Sequence, residues 1–185
     1  IELNEIPITI MAEEAGLEPL EWLFDQDLDT QFVGKMYQNN DDGVSKLLSH
    51  RNAIIALSDA GAHVEFLCDA GFGLYFLQHW VRKTGTFTLT HAVQKLTSEP
   101  ASRYRIKKRG EIKEGYFADL VLFSPDAVGI SKLYRLNDLP GQGSRLMRDA
   151  NGVFGVWVNG SRVIDKDNKP MAQEGPGHIL REFDF

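Results

Sequence analysis

The chain has 185 residues, of which 43% are hydrophobic and 25% charged, and its formal net charge at pH 7 is -6. This composition is typical of a globular protein with a sizeable core, and the acidic balance argues against a nucleic-acid partner. Because Cys68 is the only cysteine, an intrachain disulfide and a multi-thiolate metal site are excluded, which agrees with a cytoplasmic location. We expect no membrane partner, since no apolar run approaches the ~20 residues of a membrane span.

The first 50 residues predict three short helices. The first covers 9–16, with Thr9 as its N-terminal cap, and the second covers 18–28. The third covers 41–50, where acidic residues stand at the N-terminus. On the second and third helices we expect these side chains to turn inward: Leu20, Leu23, Phe24 and Leu28, and then Val44, Leu47 and Leu48.

A continuous apolar run, AIIAL, covers residues 53–57 and ends in the polar stretch SDAGAH. Such a run predicts a strand that is buried on both faces, as in a parallel sheet. A strand of this kind needs parallel neighbours, and none is evident in the helix-rich sequence around it. We therefore expect this chain, which begins with Ile1 rather than Met, to be the end of a longer polypeptide.

The sequence changes character near Arg105. Helices are predicted over 72–83 and 88–98, with one further turn at 101–104. Beyond Arg105 the chain becomes β-rich, with a strand over 119–123 and a hairpin whose two runs meet at the strong turn signal Asn159-Gly160. We therefore predict a helix-rich portion, 1–105, and a β-rich portion, 106–185.

Asp59 and His63 are the candidate site residues, because they follow the predicted buried strand. Catalytic groups of α/β sheets and barrels lie at the carboxyl ends of the strands. An aspartate there can bind a metal or act as a general base, and Gly61 would allow close backbone approach. The alternative is an ordinary turn, in which Ser58 and Asp59 bond the nearby backbone and His63 bonds a neighbour.

Other catalytic motifs are missing from the sequence. No two histidines have the His-x-His spacing, and no HExxH motif occurs. Cys68 lacks an obvious histidine partner, and Ser58 does not lie in a G-x-S-x-G elbow. The chain alone therefore cannot assemble a three-ligand catalytic zinc site.

Several stretches, taken in order, resemble the C-terminal part of N-acyl-D-amino-acid deacylases of the amidohydrolase superfamily. Two patterns recur across that superfamily: T-x-x-P-A at residues 97–101 and G-x-I-x-x-G-x-x-A-D-L-V-L-F at residues 110–123. The stretches LPG at 139–141 and VNG at 158–160 point more narrowly to the deacylases. SDAGAHV at 58–64 and GPGHILREF near the C-terminus complete the ordered set.

The resemblance implies an α/β fold. The chain would hold the last strand and helices of a metal-dependent (β/α)8 barrel, followed by the C-terminal share of a small β-sandwich domain. Residues 53–57 would form the eighth barrel strand, and strands one to six would precede Ile1. A truncated barrel would leave apolar surface uncovered, so we expect the chain to self-associate.

The resemblance also implies a zinc-dependent hydrolase that cleaves the amide bond of N-acyl-D-amino acids. Asp59 matches the family's eighth-strand aspartate, which contacts the metal and exchanges protons with the attacking water and the departing amine. His63 would line the substrate pocket. The family's other metal ligands have no counterpart here, so the isolated chain is expected to be inactive.

Two alternatives remain. One is a hydantoinase- or dihydroorotase-like cyclic amidase, which shares the barrel and the aspartate. The other is a non-catalytic homologue that keeps the fold as an assembly module, although a dead scaffold would not need an acid at the mouth of a strand. A His-x-His motif upstream of Ile1 would favour an enzyme.

Overall fold

The computed structural model describes residues 2–3, 6–28, 30, 32–34, 40–55, 58–171 and 174–181. The chain divides into two compact units, Ile1–His50 and Arg51–Phe185. Within the described part of the chain, every helix is too short or too polar to cross a membrane. The division at Arg105 that the sequence suggests stays a prediction.

The first unit is built from short elements around a small core. Its described elements are β1 (Glu2–Leu3), β2 (Ile6–Pro7), α1 (Ile8–Ala15), α2 (Pro19–Phe24) and α3 (Asp41–Ser49). Ile8, Ala12 and Trp22 form the buried cluster, with Met11 and Phe32 packed against it. The rings of Trp22 and Phe32 meet edge to face, with their centroids 6.3 Å apart.

The three predicted helices of this unit are present, but several details differ. Helix α1 begins after Pro7, so Thr9 lies inside the helix and does not cap it. Helix α2 is capped by a reciprocal pair of bonds between Glu18 and Glu21. At α3, the Asn40 side chain accepts a hydrogen bond from the Asp42 N–H at 3.0 Å.

The predicted inward face of the second helix is wrong. Phe24 is 84% exposed, Leu20 is 66% exposed and Leu28 is fully exposed. Helix α2 ends at Phe24, so Leu28 no longer continues its face, and the buried position belongs to Trp22, which has the most apolar area to bury. Leu47 of α3 is also exposed rather than turned inward.

The helical part of the second unit confirms the predicted helices. It contains α4 (Phe72–Phe76), a π-helix (Leu77–Lys83), α5 (Leu89–Leu96) and α6 (Ser98–Arg103). Thr88 caps α5, because its hydroxyl accepts a hydrogen bond from the His91 N–H at 3.2 Å. The core side chains of this part are Phe76, Leu77, Trp80, Phe87, Ala92 and Ala101.

The β-rich part contains antiparallel strand pairs. Its strands are β3 (Leu120–Phe123), β4 (Gly129–Ile130), β5 (Tyr134–Leu139), β6 (Gly143–Met147), β7 (Ala150–Asn151), β8 (Val153–Val158) and β9 (Ser161–Ile164). They form a sheet in the order β3-β8-β9 and the pairs β4-β7 and β5-β6. The hairpin at Asn159-Gly160 is confirmed, and both turn residues have positive φ, 48° and 82°, as a type I′ turn requires.

Side chains of the π-helix form hydrogen bonds with the backbone of strand β4 and of the residue before it. The Gln78 Oε1 accepts a hydrogen bond from the Ile130 N–H at 3.0 Å, and Arg82 donates to the Val128 carbonyl at 2.6 Å. Val128 is almost completely buried. The helical and β-rich parts therefore share a packed interior within this unit.

The predicted strand over 53–57 is not formed where the structure describes it. Residues 53–55 belong to neither a strand nor a helix, and residues 56 and 57 lie outside the described residues. A buried parallel strand needs neighbours on both sides to satisfy its backbone groups. Among the described residues, the Ala53 carbonyl is instead bound by the side chain of Lys95.

Candidate active site

Asp59 lies on an exposed turn that follows the apolar run. The Ala62 N–H donates to the Asp59 carbonyl at 2.9 Å, and Gly61 has a φ of 92°, which closes the turn. The Ser58 hydroxyl accepts a hydrogen bond from the Ala60 N–H at 3.3 Å. The polar stretch therefore forms the local turn that Ser and Asp favour after an apolar run.

The carboxylate of Asp59 points to no partner within the described part of the chain. None of the described residues donates a hydrogen bond to it or forms an ion pair with it. The turn is thus stabilised by Ser58 and the backbone, not by the carboxylate.

His63 follows in a conformation that non-glycine residues adopt only in a few per cent of cases, with a φ of 47°. Its imidazole stacks on the ring of Phe66, with a centroid separation of 4.9 Å and an interplanar angle of 23°. Its carbonyl accepts hydrogen bonds from the N–H groups of Phe66 and Leu67. Asp59 and His63 therefore share one loop, but the described contacts do not join their side chains.

Residues far along the chain form hydrogen bonds with the loop that carries Asp59 and His63, residues 58–71. The Leu146 N–H of β6 donates to the Val64 carbonyl at 2.8 Å. Arg148 donates from Nε to the Cys68 carbonyl at 3.4 Å and from a terminal nitrogen to the Ser131 carbonyl at 3.0 Å. The β5-β6 hairpin thus borders the candidate site, a role that the sequence did not reveal.

The hairpin itself could have been found from the sequence. Pro140-Gly141 is a strong turn signal, and it connects β5 to β6 with Gly141 at a φ of 70°. Arg145 of β6 holds Asp138 of β5 through two hydrogen bonds of 2.7 and 2.6 Å. The family-like stretch LPGQGSRLMRD is therefore a cross-linked hairpin that carries Arg148 to the loop.

The motif residues of the β-rich part form a structural network around Asp119. Arg109 pairs with the Asp119 carboxylate and donates to the Asn159 side chain at 2.8 Å, while its guanidinium lies 4.2 Å from the centre of the Phe117 ring. The Asn159 N–H donates to Asp119 at 2.9 Å, and its side chain donates to the Pro176 carbonyl at 2.7 Å. These residues join three of the family-like stretches and stabilise the fold.

The network predicts an acid-sensitive contribution to stability. Desolvation raises the pKa of Asp119, but the bond from the Asn159 N–H and the Arg109 charge outweigh it and bring that pKa below its ordinary value. A depressed folded-state pKa stabilises the fold above the unfolded-state pKa of about 4, and this stabilisation is lost as the pH falls through the folded-state pKa.

Replacing Asp119 with asparagine is therefore expected to lower the unfolding free energy by about 1 kcal/mol at pH 7, since a third of the side chain is exposed. The deficit should shrink as the pH falls below about 4. Urea denaturation at pH 7 and at pH 3 measures both values. Asp126→Asn, at an exposed aspartate of the same part, is the control, and an equal deficit for it would contradict the network's role.

The described residues do not form a metal site by themselves. Among them, no three His, Cys, Asp or Glu side chains lie close enough together to hold a metal ion. Asp59 can supply one carboxylate ligand, a type that zinc accepts.

Comparison with known proteins extends the resemblance over most of the chain. Residues 5–164 match the model of the amidohydrolase family. The N-acyl-D-aspartate deacylase of Alcaligenes xylosoxydans xylosoxydans is 32% identical over 108 residues, which are 58% of this chain and 20% of that protein. The D-aminoacylase of the same organism is 36% identical over 87 residues, which are 47% of this chain and 16% of that protein.

A solved structure is also similar. The N-acyl-D-glutamate deacylase of Bordetella bronchiseptica, crystallised with zinc and a phosphonate mimic of the tetrahedral intermediate, is 31% identical, with a TM-score of 0.48. The similarity covers 60% of this chain and 21% of that one. The matched region thus spans about a fifth of the length of these relatives. The family model matches residues 5–164, which are more than half of this chain, so the chain belongs to the amidohydrolase family.

Proposed function

We propose that the protein carrying this chain is a zinc-dependent hydrolase that cleaves the amide bond of N-acyl-D-amino acids. The observation that carries the proposal is the alignment of 108 residues with an N-acyl-D-aspartate deacylase. Membership in the amidohydrolase family and the second alignment, with a D-aminoacylase, support it. The substrate is then a small N-acylated amino acid.

Asp59 is the proposed catalytic residue. Asp59 is exposed, and among the described residues no bond of the turn comes from its carboxylate, which supports its meeting a substrate. Amide hydrolysis needs a group that removes a proton from the attacking water and delivers one to the departing nitrogen, because an unprotonated amine leaves poorly. A carboxylate can do both in turn. His63, four residues later on the same loop, is proposed to line the substrate pocket.

Zinc is proposed on the basis of the sequence resemblance. The described residues fall short of a three-ligand cluster, so Asp59 would be one ligand among others that lie outside the described residues. A bound zinc ion supplies Lewis acidity, which lowers the pKa of water and polarises a carbonyl oxygen. Because Asp59 alone cannot hold the ion, we propose that the isolated chain is inactive.

The finer fold assignment also stays a proposal. Family membership supports describing the chain as the last strand and helices of a (β/α)8 barrel followed by part of a β-sandwich. The exposed side chains of Leu20, Phe24 and Val121 support self-association, because apolar groups favour burial. A cytoplasmic location stays a prediction from the single cysteine.

A pair of enantiomers tests the proposed activity. The complete gene product that carries this chain, loaded with zinc, is expected to release the free amino acid from N-acetyl-D-amino acids. The matched L-enantiomers should react at least about a hundredfold more slowly in kcat/KM. Chiral chromatography of the products measures both rates, and metal analysis measures the zinc bound.

The same assay separates the alternatives. Hydrolysis of a hydantoin or a dihydropyrimidine in place of the N-acyl-D-amino acids would replace the proposal with the cyclic-amidase alternative. Absence of any hydrolysis by a zinc-loaded protein would favour the non-catalytic homologue.

A further inference from the structure

We propose that Lys95 and Arg148 are positioning residues that clamp the loop bearing Asp59 from both sides. Lys95 binds the Ala53 carbonyl, six residues before Asp59, and Arg148 binds the Cys68 carbonyl, nine residues after it. The inference rests on the proposed function, because it takes Asp59 to be catalytic. It adds two residues that lie outside the family-like motif around Asp59.

Lys95 is a buried lysine on helix α5. Lys95 is only 2% exposed, and it lies on the inward side of α5 beside the fully buried Ala92. Its ammonium donates to the Ala53 carbonyl at 3.2 Å and to the Glu99 carboxylate at 3.5 Å. A buried ammonium is unfavourable unless its donors are paired, and here the Ala53 carbonyl and the Glu99 carboxylate pair it. Lys95 therefore joins α5 to the Ala53 carbonyl through a bond that an apolar residue could not make.

Arg148 binds two backbone carbonyls from different segments. Its guanidinium joins the carbonyl of Cys68 to that of Ser131, so it ties the loop to the segment that follows β4. Two residues earlier, the Leu146 N–H binds the Val64 carbonyl at 2.8 Å. The fixed fork of an arginine suits this bridging of two acceptors, and a lysine could satisfy only part of it.

A third cationic side chain, that of Arg103, binds the backbone before residue 53. Arg103 of α6 donates to the Arg51 carbonyl at 2.7 Å. Between residues 51 and 71, the described residues form turns and extended chain rather than a helix or strand. Cationic side chains therefore take over part of the backbone bonding that a sheet would provide.

Fixing both ends of the loop restricts where Asp59 can lie. A short loop with anchored ends has fewer conformations than one with a free end. Because proton transfer needs a defined geometry, a displacement of about 1 Å can lower a rate about a hundredfold. The clamp thus acts on the chemical step through Asp59, and on substrate binding through His63 of the same loop.

Kinetics of Lys95→Met and Arg148→Met in the complete gene product test the proposal. Each variant is expected to lower kcat about tenfold or more, with a smaller rise in KM because His63 lies on the same loop. Arg148→Lys should recover part of the loss. Arg82→Met is the matched control, since Arg82 also binds a backbone carbonyl, that of Val128, outside the loop.

Amide hydrogen exchange tests the clamp without using activity. In Lys95→Met and Arg148→Met, the amides of Ala62, Phe66, Leu67 and Leu146 should exchange faster, because their acceptors lie in the loop. In Arg82→Met they should exchange as in the parent protein. Unchanged exchange in the two loop variants would overturn the clamp. Faster exchange with unchanged kcat would overturn its role in catalysis and leave the proposed function standing.

Discussion

Replacing Asp59 with asparagine is expected to lower kcat of the complete protein about a thousandfold, with little change in KM. Asparagine keeps the size and shape of the side chain but cannot accept a proton, and general acid–base catalysis contributes about 10²–10⁴ to a rate. The turn should survive the change, because its described bonds come from Ser58 and the backbone rather than from the carboxylate. Initial rates on an N-acetyl-D-amino acid measure the loss.

Asp69→Asn is the matched control for Asp59→Asn. Asp69 is an exposed aspartate ten residues further along the same loop, so its replacement removes the same charge at the same kind of position. It is expected to keep kcat within about threefold of the parent value. If Asp59→Asn retained as much activity as Asp69→Asn, Asp59 would not be the catalytic acid and the proposed function would lose its central residue.

The hairpin at Asn159-Gly160 depends on local chemistry, and the sequence predicted it. The two turn residues adopt the positive φ angles that the hairpin needs, and they are neighbours in the chain. The cap predicted at Thr9 is local as well, but it is wrong because α1 begins after Pro7. The turn at residues 58–62 is also local, since it is closed by the Ser58 hydroxyl and the backbone.

Elements that depend on distant residues were not predicted. The run over 53–57 has the pattern of a buried strand, but a strand exists only with partners, and in its described part a lysine 42 residues away binds the backbone. Lys95 could have been noticed as a cation on the apolar side of an amphipathic helix. Its partner could not, because no local pattern tells which carbonyl a buried ammonium will meet.

The site itself was the least predictable part. Asp59 was selected from its place after an apolar run, and its role stays a prediction. The contacts of Arg148 and Leu146 with that loop join residues about 80 positions apart, which sequence patterning does not encode. The family-like motifs at Arg109, Asp119 and Asn159, in contrast, turned out to be a structural network.

The T-x-x-P-A and G-x-I-x-x-G patterns meet at Gly110. Replacing Gly110 with alanine is expected to destabilise the second unit strongly. A Cβ on Gly110 would lie 2.8 Å from the Cβ of Ala101 and 2.9 Å from the carbonyl oxygen of Thr97. The T-x-x-P-A stretch at the start of α6 therefore packs directly on the first glycine of the G-x-I-x-x-G pattern. Gly110 also has a φ of 84°, which is unfavourable for any residue with a side chain.

Gly115→Ala separates the two effects, because Gly115 is the second glycine of the same pattern. Its φ is 79°, but an added Cβ would meet nothing within 4 Å. Gly115→Ala should therefore show the backbone strain alone, about 1–2 kcal/mol. Gly110→Ala adds a clash with backbone and a buried methyl group, which brings the expected loss to about 3 kcal/mol or more.

Urea denaturation of the two alanine variants measures the difference between them. If Gly110→Ala is too unstable to purify, its yield of folded protein relative to Gly115→Ala replaces the denaturation midpoint. Equal stabilities would mean that the Thr97–Ala101 turn moves away without loss. The recurrence of these two motifs would then need an explanation other than their packing. A clear excess for Gly110→Ala would show that the pattern marks a contact between α6 and the start of the β-rich part, not a site of chemistry.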